Sequence, residues 1–121
     1  MRVLSIQQPW AWAIIYAGKD IENRPWKTRF REKILIHAGK KIDWDGAHYM
    51  SAIMGVPLPE KFPTGGIVGA VTIIDCVQKS DSRWFDGPNG FVLFAPEEIP
   101  FIPLKGQLGF FHYSIKKNRS T

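Results

Sequence analysis

Only one cysteine, Cys76, occurs in the 121 residues. That excludes an internal disulfide framework and any multi-cysteine zinc site, and it fits a reducing compartment. Its apolar surroundings, Ile73-Ile74-Asp75-Cys76-Val77, read as packing rather than as the setting of a nucleophile. Histidine is nearly as scarce: His37, His48 and His112 show no ligand spacing, so neither a metal nor another cofactor is expected. No apolar run approaches the roughly 20 residues that a membrane helix needs, and no signal-like leader opens the chain. A soluble, cytoplasmic protein is the expectation. Internal repeats and low-complexity tracts are also missing.

What is present is the composition of a folded domain, 45% hydrophobic and 13% aromatic, which is too apolar for a disordered polyelectrolyte. Its length predicts one core and hence a single domain over residues 1–115, with 116–121 as a basic, flexible tail. The net charge of +5 favours a polyanionic partner, although basic balance alone is a weak signal.

Arg2 to Ile6 reads as a first strand. A helix follows at once, because Pro9 suits a first turn, Trp10, Ala13, Ile14 and Ala17 recur at helical spacing, and Gly18 stops the run. Asp20 to Trp26 alternates like a strand, Lys27 to Glu32 is a polar loop, and Lys33 to Ala38 is a second strong strand closed by Gly39-Lys40-Lys41. Asp43 is a natural N-cap for a helix through Met54, ended by Gly55. After the proline-rich VPLPEKFPTGG come strands at Ile67 to Val77, where Gly69 hints at a bulge or close backbone approach, and at Phe91 to Ala95. Ile99 to Leu104 carries two prolines and reads as an edge strand at best, and Leu108 to Ile115 is the last. The pattern is mainly β with two or three helices, an α+β fold built as a small mixed β-barrel.

Chemistry concentrates between Gly18 and Ala38, GKDIENRPWKTRFREKILIHA. If a strand begins at Asp20, then Glu22, Arg24 and Trp26 share one face, and Lys19 at the junction can turn to the same side. A carboxylate flanked by two cations in a concave, cation-rich recess has two readings. It is a self-neutralising ion-pair network, or a pocket for a polar planar ligand in which Arg24 clamps phosphate, Glu22 accepts from an exocyclic amine, and Trp26 or Trp10 stacks.

The run LSIQQPWAWAIIYAGKDIENRPWKTRFREKILIHA resembles the ASCH domain family. The likeness rests on Gln8-Pro9-Trp10-Ala11, on the core Lys19-x-x-Glu22-x-Arg24-x-Trp26, and on Pro63-x-Gly65 before a long strand, and it extends to the IPLKG turn. It departs at Ala17 and Glu32, where the family often has glycine. The resemblance implies a PUA-like barrel with a cleft between barrel and first helix, lined by Lys19, Glu22, Arg24 and Trp26, with Ser5, Gln8 and Trp10 as neighbours. It also implies binding of single-stranded RNA or a modified nucleoside or nucleotide.

Other ASCH-like proteins are amidohydrolases on N4-acylcytidine or ribonucleases, so catalysis is the alternative. Lys19 would be the base, Glu22 the proton donor, and water or the Thr28 hydroxyl the nucleophile; in RNA cleavage Arg29 or Arg31 would clamp phosphate. A third reading is a protein-interaction adaptor, by analogy with the coactivator after which the family is named. Lys27, Arg29, Arg31, Lys33, Lys40 and Lys41 form either a phosphate-tracking rim or a solvated face. His37 points to the barrel mouth or is a satisfied structural residue, and Trp84, in the loop SRWFDGPNG, is a candidate lid.

Overall fold

The computed structural model describes residues 1–114. The basic tail expected from Lys116, and the end of the last expected strand at Ile115, lie outside the described residues. The elements are β1 (Arg2–Gln8), α1 (Trp10–Tyr16), β2 (Ile21–Arg24), β3 (Lys33–Ile42), α2 (Trp44–Ala52), β4 (Gly66–Val77), β5 (Asn89–Pro103) and β6 (Phe110–His112). The strands form one mixed sheet in the order β2-β5-β4-β3-β1-β6, in which β1 and β3 run parallel and the other pairs are antiparallel. The mainly β, α+β class follows.

The expected barrel is not closed by a ladder of backbone hydrogen bonds, because β2 and β6 stand at opposite ends of the sheet order. Side chains from β2 and the residues just after it reach across to β1 and β6 instead. The Arg24 guanidinium donates to the Ser5 carbonyl on β1 at 2.8 Å, and Trp26, just beyond β2, meets Phe110 of β6 edge-on at 5.4 Å between ring centroids.

Residues 34 to 38 of β3 are buried without alternation, as befits a strand covered on both faces. Ile34 and Ile36 join Leu4, Ile6, Val71, Ile73 and Phe91 under α1, whose Ala11 and Ile14 complete that core. Leu35 faces the other way with Val3, Ile67, Ala70 and Phe111, covered by Ile99, Ile102 and Leu104.

Several sequence boundaries move. β3 continues through Gly39-Lys40-Lys41 to Ile42 rather than ending there, since Gln8 pairs with Ile42 across an irregularity in β1. The two strands expected on either side of Pro96 are one strand, β5, because Pro96 and Pro100 fall where its ladder with β4 shifts register and needs no N–H. β2 is shorter than expected and stops at Arg24, before Pro25. Gly69 sits at one of the register shifts, and a Cβ there would meet Ile15 and lie 2.5 Å from the Glu97 carbonyl, so the close approach that the sequence suggests is real. No helix among the described residues is long and apolar enough to cross a membrane.

Candidate functional site

The two helices and β2 enclose a third apolar cluster of Ala13, Ile21, Met50, Val56 and Trp84, and beside it opens a cleft of about 680 Å³. Three local devices shape it. At the end of α1, Gly18 takes the left-handed conformation, φ +73°, and the Lys19 N–H returns to the Ala13 carbonyl at 3.1 Å, which turns the Lys19 side chain back toward β2. At the start of α2, the Asp43 carboxylate accepts the Gly46 N–H at 2.9 Å as an N-cap and the Trp10 indole N–H at 3.1 Å, fixing that ring as a wall. Opposite, Asn23 ties down the 84–87 loop: its side chain donates to the Trp84 carbonyl and accepts the Asp86 and Gly87 N–H groups at 2.8–3.0 Å.

Lys19 and Glu22, 5% and 7% exposed, lie against this space. The Lys19 ammonium donates to the Ile21 carbonyl and, at 3.1 Å, to one Glu22 oxygen; Arg24 Nε donates to the other at 3.0 Å. A lysine ammonium has three N–H groups, so one remains for a ligand, and each Glu22 oxygen keeps a lone pair. The indole of Trp10 lies 5.9 Å from Nζ. A fixed donor thus sits beside a fixed acceptor between two aromatic side chains, Trp10 and Trp84, a combination suited to the edge and faces of a planar polar ring.

Lys19, Glu22 and Arg24 come together as the spacing suggests, but Arg24 braces Glu22 from behind and is not among the residues lining the cleft. Trp26 does not join them. The strand that would have carried it on the same face has ended, and its ring packs edge-on against Phe91 and Phe110 at 5.2 and 5.4 Å. The recess is not cation-rich either: Glu22, Asp43, Asp45 and Asp86 line it against Lys19 and Arg83.

Of the neighbours, Trp10 is a wall, whereas Ser5 and Gln8 are structural contacts. Gln8 is fully buried, accepting the Trp12 N–H and donating to the Pro63 carbonyl, both at 2.8 Å, so it takes over the capping of α1 that Pro9 cannot perform. His37 is 2% exposed. Its Nε2 lies 2.6 Å from the Leu104 carbonyl, which can only accept, so in the neutral ring Nδ1 accepts from the Ser5 hydroxyl at 2.9 Å. It is satisfied inside the protein rather than at a barrel mouth.

Trp84 lines the cleft but is 8% exposed and packed into the third cluster, which makes it an anchored wall and not a free lid. The Thr28 hydroxyl accepts the Phe30 N–H and lies outside the cleft lining. Arg29 is exposed, and Arg31 folds onto the Thr28 and Phe30 carbonyls; both precede Lys33, at the far end of β3 from Asp43. The basic rim is therefore divided, with Lys40 and Lys41 at the cleft end.

Asn23, Asp43, Asp45, Tyr49, Arg83 and Asp86 supply further polar groups of the wall, and none was singled out as a site residue from the sequence. Asp43 was legible as a cap; that its carboxylate also holds Trp10 follows only from the packing of α1 against the start of α2.

The model of the ASCH domain matches residues 4–112. The chain belongs to the ASCH domain family. It is 28% identical over 119 residues to the human protein "Activating signal cointegrator 1", covering 85% of this chain and 20% of that protein. The mouse protein of the same name is 29% identical over the same length and shares. This ASCH chain thus spans about a fifth of the length of the curated relatives it matches.

Proposed function

We propose that this ASCH domain binds a nucleobase, presented by a nucleotide or by single-stranded RNA, in the cleft between α1, α2 and β2. The observation that carries the reading is the Lys19–Glu22 pair: a donor and an acceptor 3.1 Å apart, locked by Arg24, against a cleft walled by Trp10 and Trp84. Glu22 accepts from a ring or exocyclic N–H, the remaining Lys19 N–H donates to a base carbonyl, and the aromatic walls take the ring faces. The carboxylates around the cleft disfavour a phosphate within it, so phosphate stays outside, toward Arg83 or the lysines at the end of β3.

The test is titration calorimetry of the four nucleoside 5′-monophosphates and a ten-nucleotide single-stranded RNA against the wild type and Lys19→Met. Binding by the wild type that Lys19→Met weakens at least tenfold supports the reading. Absence of binding to every one of these ligands ends it.

The hydrolase reading draws on the same contact, since a lysine amine and a carboxylate facing one open space are the groups that amide hydrolysis employs. Water would be the nucleophile, because the Thr28 hydroxyl does not line the cleft. Turnover of N4-acetylcytidine by the wild type, lost in Lys19→Met, would decide for the enzyme; binding without turnover decides for the module.

A further inference from the structure

Four aromatic side chains outside the cleft form an unbroken chain across one face. Tyr16 lies 5.9 Å from Trp12, Trp12 lies 6.1 Å from Phe62, and Phe62 lies 6.3 Å from Trp44, all between ring centroids. The outer two are open to solvent, Tyr16 at 53% and Trp44 at 66%. Such exposure of large rings has no folding benefit, because a ring left in water contributes little of the burial energy it would gain inside.

We propose that this face is a stacking track for single-stranded RNA, holding the nucleotides that flank the one in the cleft. The proposal rests on the nucleobase reading of that cleft and extends it to a strand. Three observations support a strand over another protein. The track starts at the rim of the cleft, since Trp44 lies between Asp43 and Asp45, which both line it. At the other end, beside Trp12 and Tyr16, a furrow of about 150 Å³ bordered by Pro63, Pro100 and Phe101 continues the apolar surface.

The third observation is charge. Lys40 and Lys41 are exposed just before Trp44, and exposed Lys61 is next to Phe62. Protein interfaces are depleted of lysine, whereas aromatic rings interleaved with lysine are what sequence-tolerant binders of single strands present. Four carboxylates, Asp43, Asp45, Glu60 and Glu98, also border the face, so on this track the phosphates follow Lys40, Lys41 and Lys61 while the bases lie over the rings.

The experiment measures fluorescence anisotropy of a labelled ten-nucleotide single-stranded RNA and calorimetry of nucleoside monophosphates. It uses the wild type, Trp44→Ala, Lys40→Gln/Lys41→Gln and, for the cleft, Lys19→Met. Loss of one stacked base predicts RNA affinity at least fivefold lower in Trp44→Ala, with mononucleotide affinity unchanged. The lysine pair should flatten the log–log salt dependence of RNA binding by about 1.4, at roughly 0.7 per phosphate contact on a single strand.

RNA affinity within twofold of wild type in both track variants overturns the track while leaving the cleft reading to Lys19→Met. Equal losses for RNA and mononucleotide in Trp44→Ala also overturn it, as does a wild-type dimer that Trp44→Ala dissociates without changing RNA affinity. If Trp44→Ala weakens RNA but Lys19→Met alters no ligand, the track stands and the cleft reading falls. A wild type that binds no RNA ends the track, and one that binds neither RNA nor any mononucleotide ends both.

Discussion

Glu22 is the residue on which the cleft turns, because its two oxygens each accept from a different cation while only 9% of its side chain meets solvent. Removing Lys19 leaves the carboxylate paired with Arg24, whereas removing Glu22 leaves two cations facing each other. Lys19→Met should therefore cost about 1.5–3 kcal/mol, the loss of one hydrogen bond between charged groups while Glu22 keeps Arg24. Glu22→Leu should cost about 3–5 kcal/mol, as when a buried pair loses one member. Urea denaturation checks both, and equal costs would mean that Glu22 does not serve the two cations jointly. Tyr16 gives a second prediction at this scale. Partial burial, and then the hydrogen bond and negative charge of Glu98, hold its phenol above the ordinary value of 10.0. The fold favours the neutral phenol, so its contribution is present below pH 10 and is lost as pH rises through the raised value. In an absorbance titration at high pH, Tyr16→Phe should remove the late-ionising component and Glu98→Gln should move it down. Lys19, Glu22 and Arg24 were legible because they lie within six residues of one another on a turn and one strand. Trp26 was not, because the face argument was extended past a strand that stops at Arg24.

At the scale of elements, the first turn of α2 matters more than its length, since Asp43 both caps the helix and holds Trp10. Asp43→Ala removes a cap worth about 1 kcal/mol and leaves the Trp10 indole N–H without its acceptor, adding about 1–2 kcal/mol. Asp43→Asn keeps a single side-chain acceptor oxygen, so it should retain the cap and lose only the second part. Denaturation midpoints in the order wild type, Asn, Ala, with nucleotide affinity falling in both variants as Trp10 is released, are the expected result. Equal midpoints for Asn and wild type would show that the indole bond contributes nothing. The helices and most strands were legible from capping residues and apolar runs. β5 was not, because a proline normally ends a strand and only the register shifts against β4 reveal that Pro96 and Pro100 occupy gaps in the ladder. The cleft walls contributed by Asn23, Arg83, Phe85 and Asp86 were equally hidden, although Trp84 among them stood out as a candidate lid. They belong to segments about 60 residues apart that meet through side-chain-to-backbone hydrogen bonds, and no local pattern announces such a meeting.

Over the whole molecule, the sheet separates two kinds of surface that a net charge of +5 merges into one number. The expected rim of arginines and lysines assumed that residues adjacent in sequence stay adjacent in space. The ten residues of β3 instead carry the chain from Lys33, beside the Arg29 and Arg31 loop, to Ile42, beside Asp43. At about 3.3 Å per residue that is an extended run of roughly 30 Å. A separation of this order is several times the Debye length of about 8 Å at physiological ionic strength, so exposed charges at one end act little on a ligand at the other. Arg31 is further engaged with the Thr28 and Phe30 carbonyls, and Lys33 pairs with Glu97. Exchanging both arginines, as Arg29→Gln/Arg31→Gln, should leave mononucleotide affinity within twofold of wild type at physiological salt, although the protein's net charge falls by two. Calorimetry at that salt reads the difference directly. A tenfold loss would mean that the loop reaches the cleft, and that the division of charge along β3 does not govern how this domain meets its ligand.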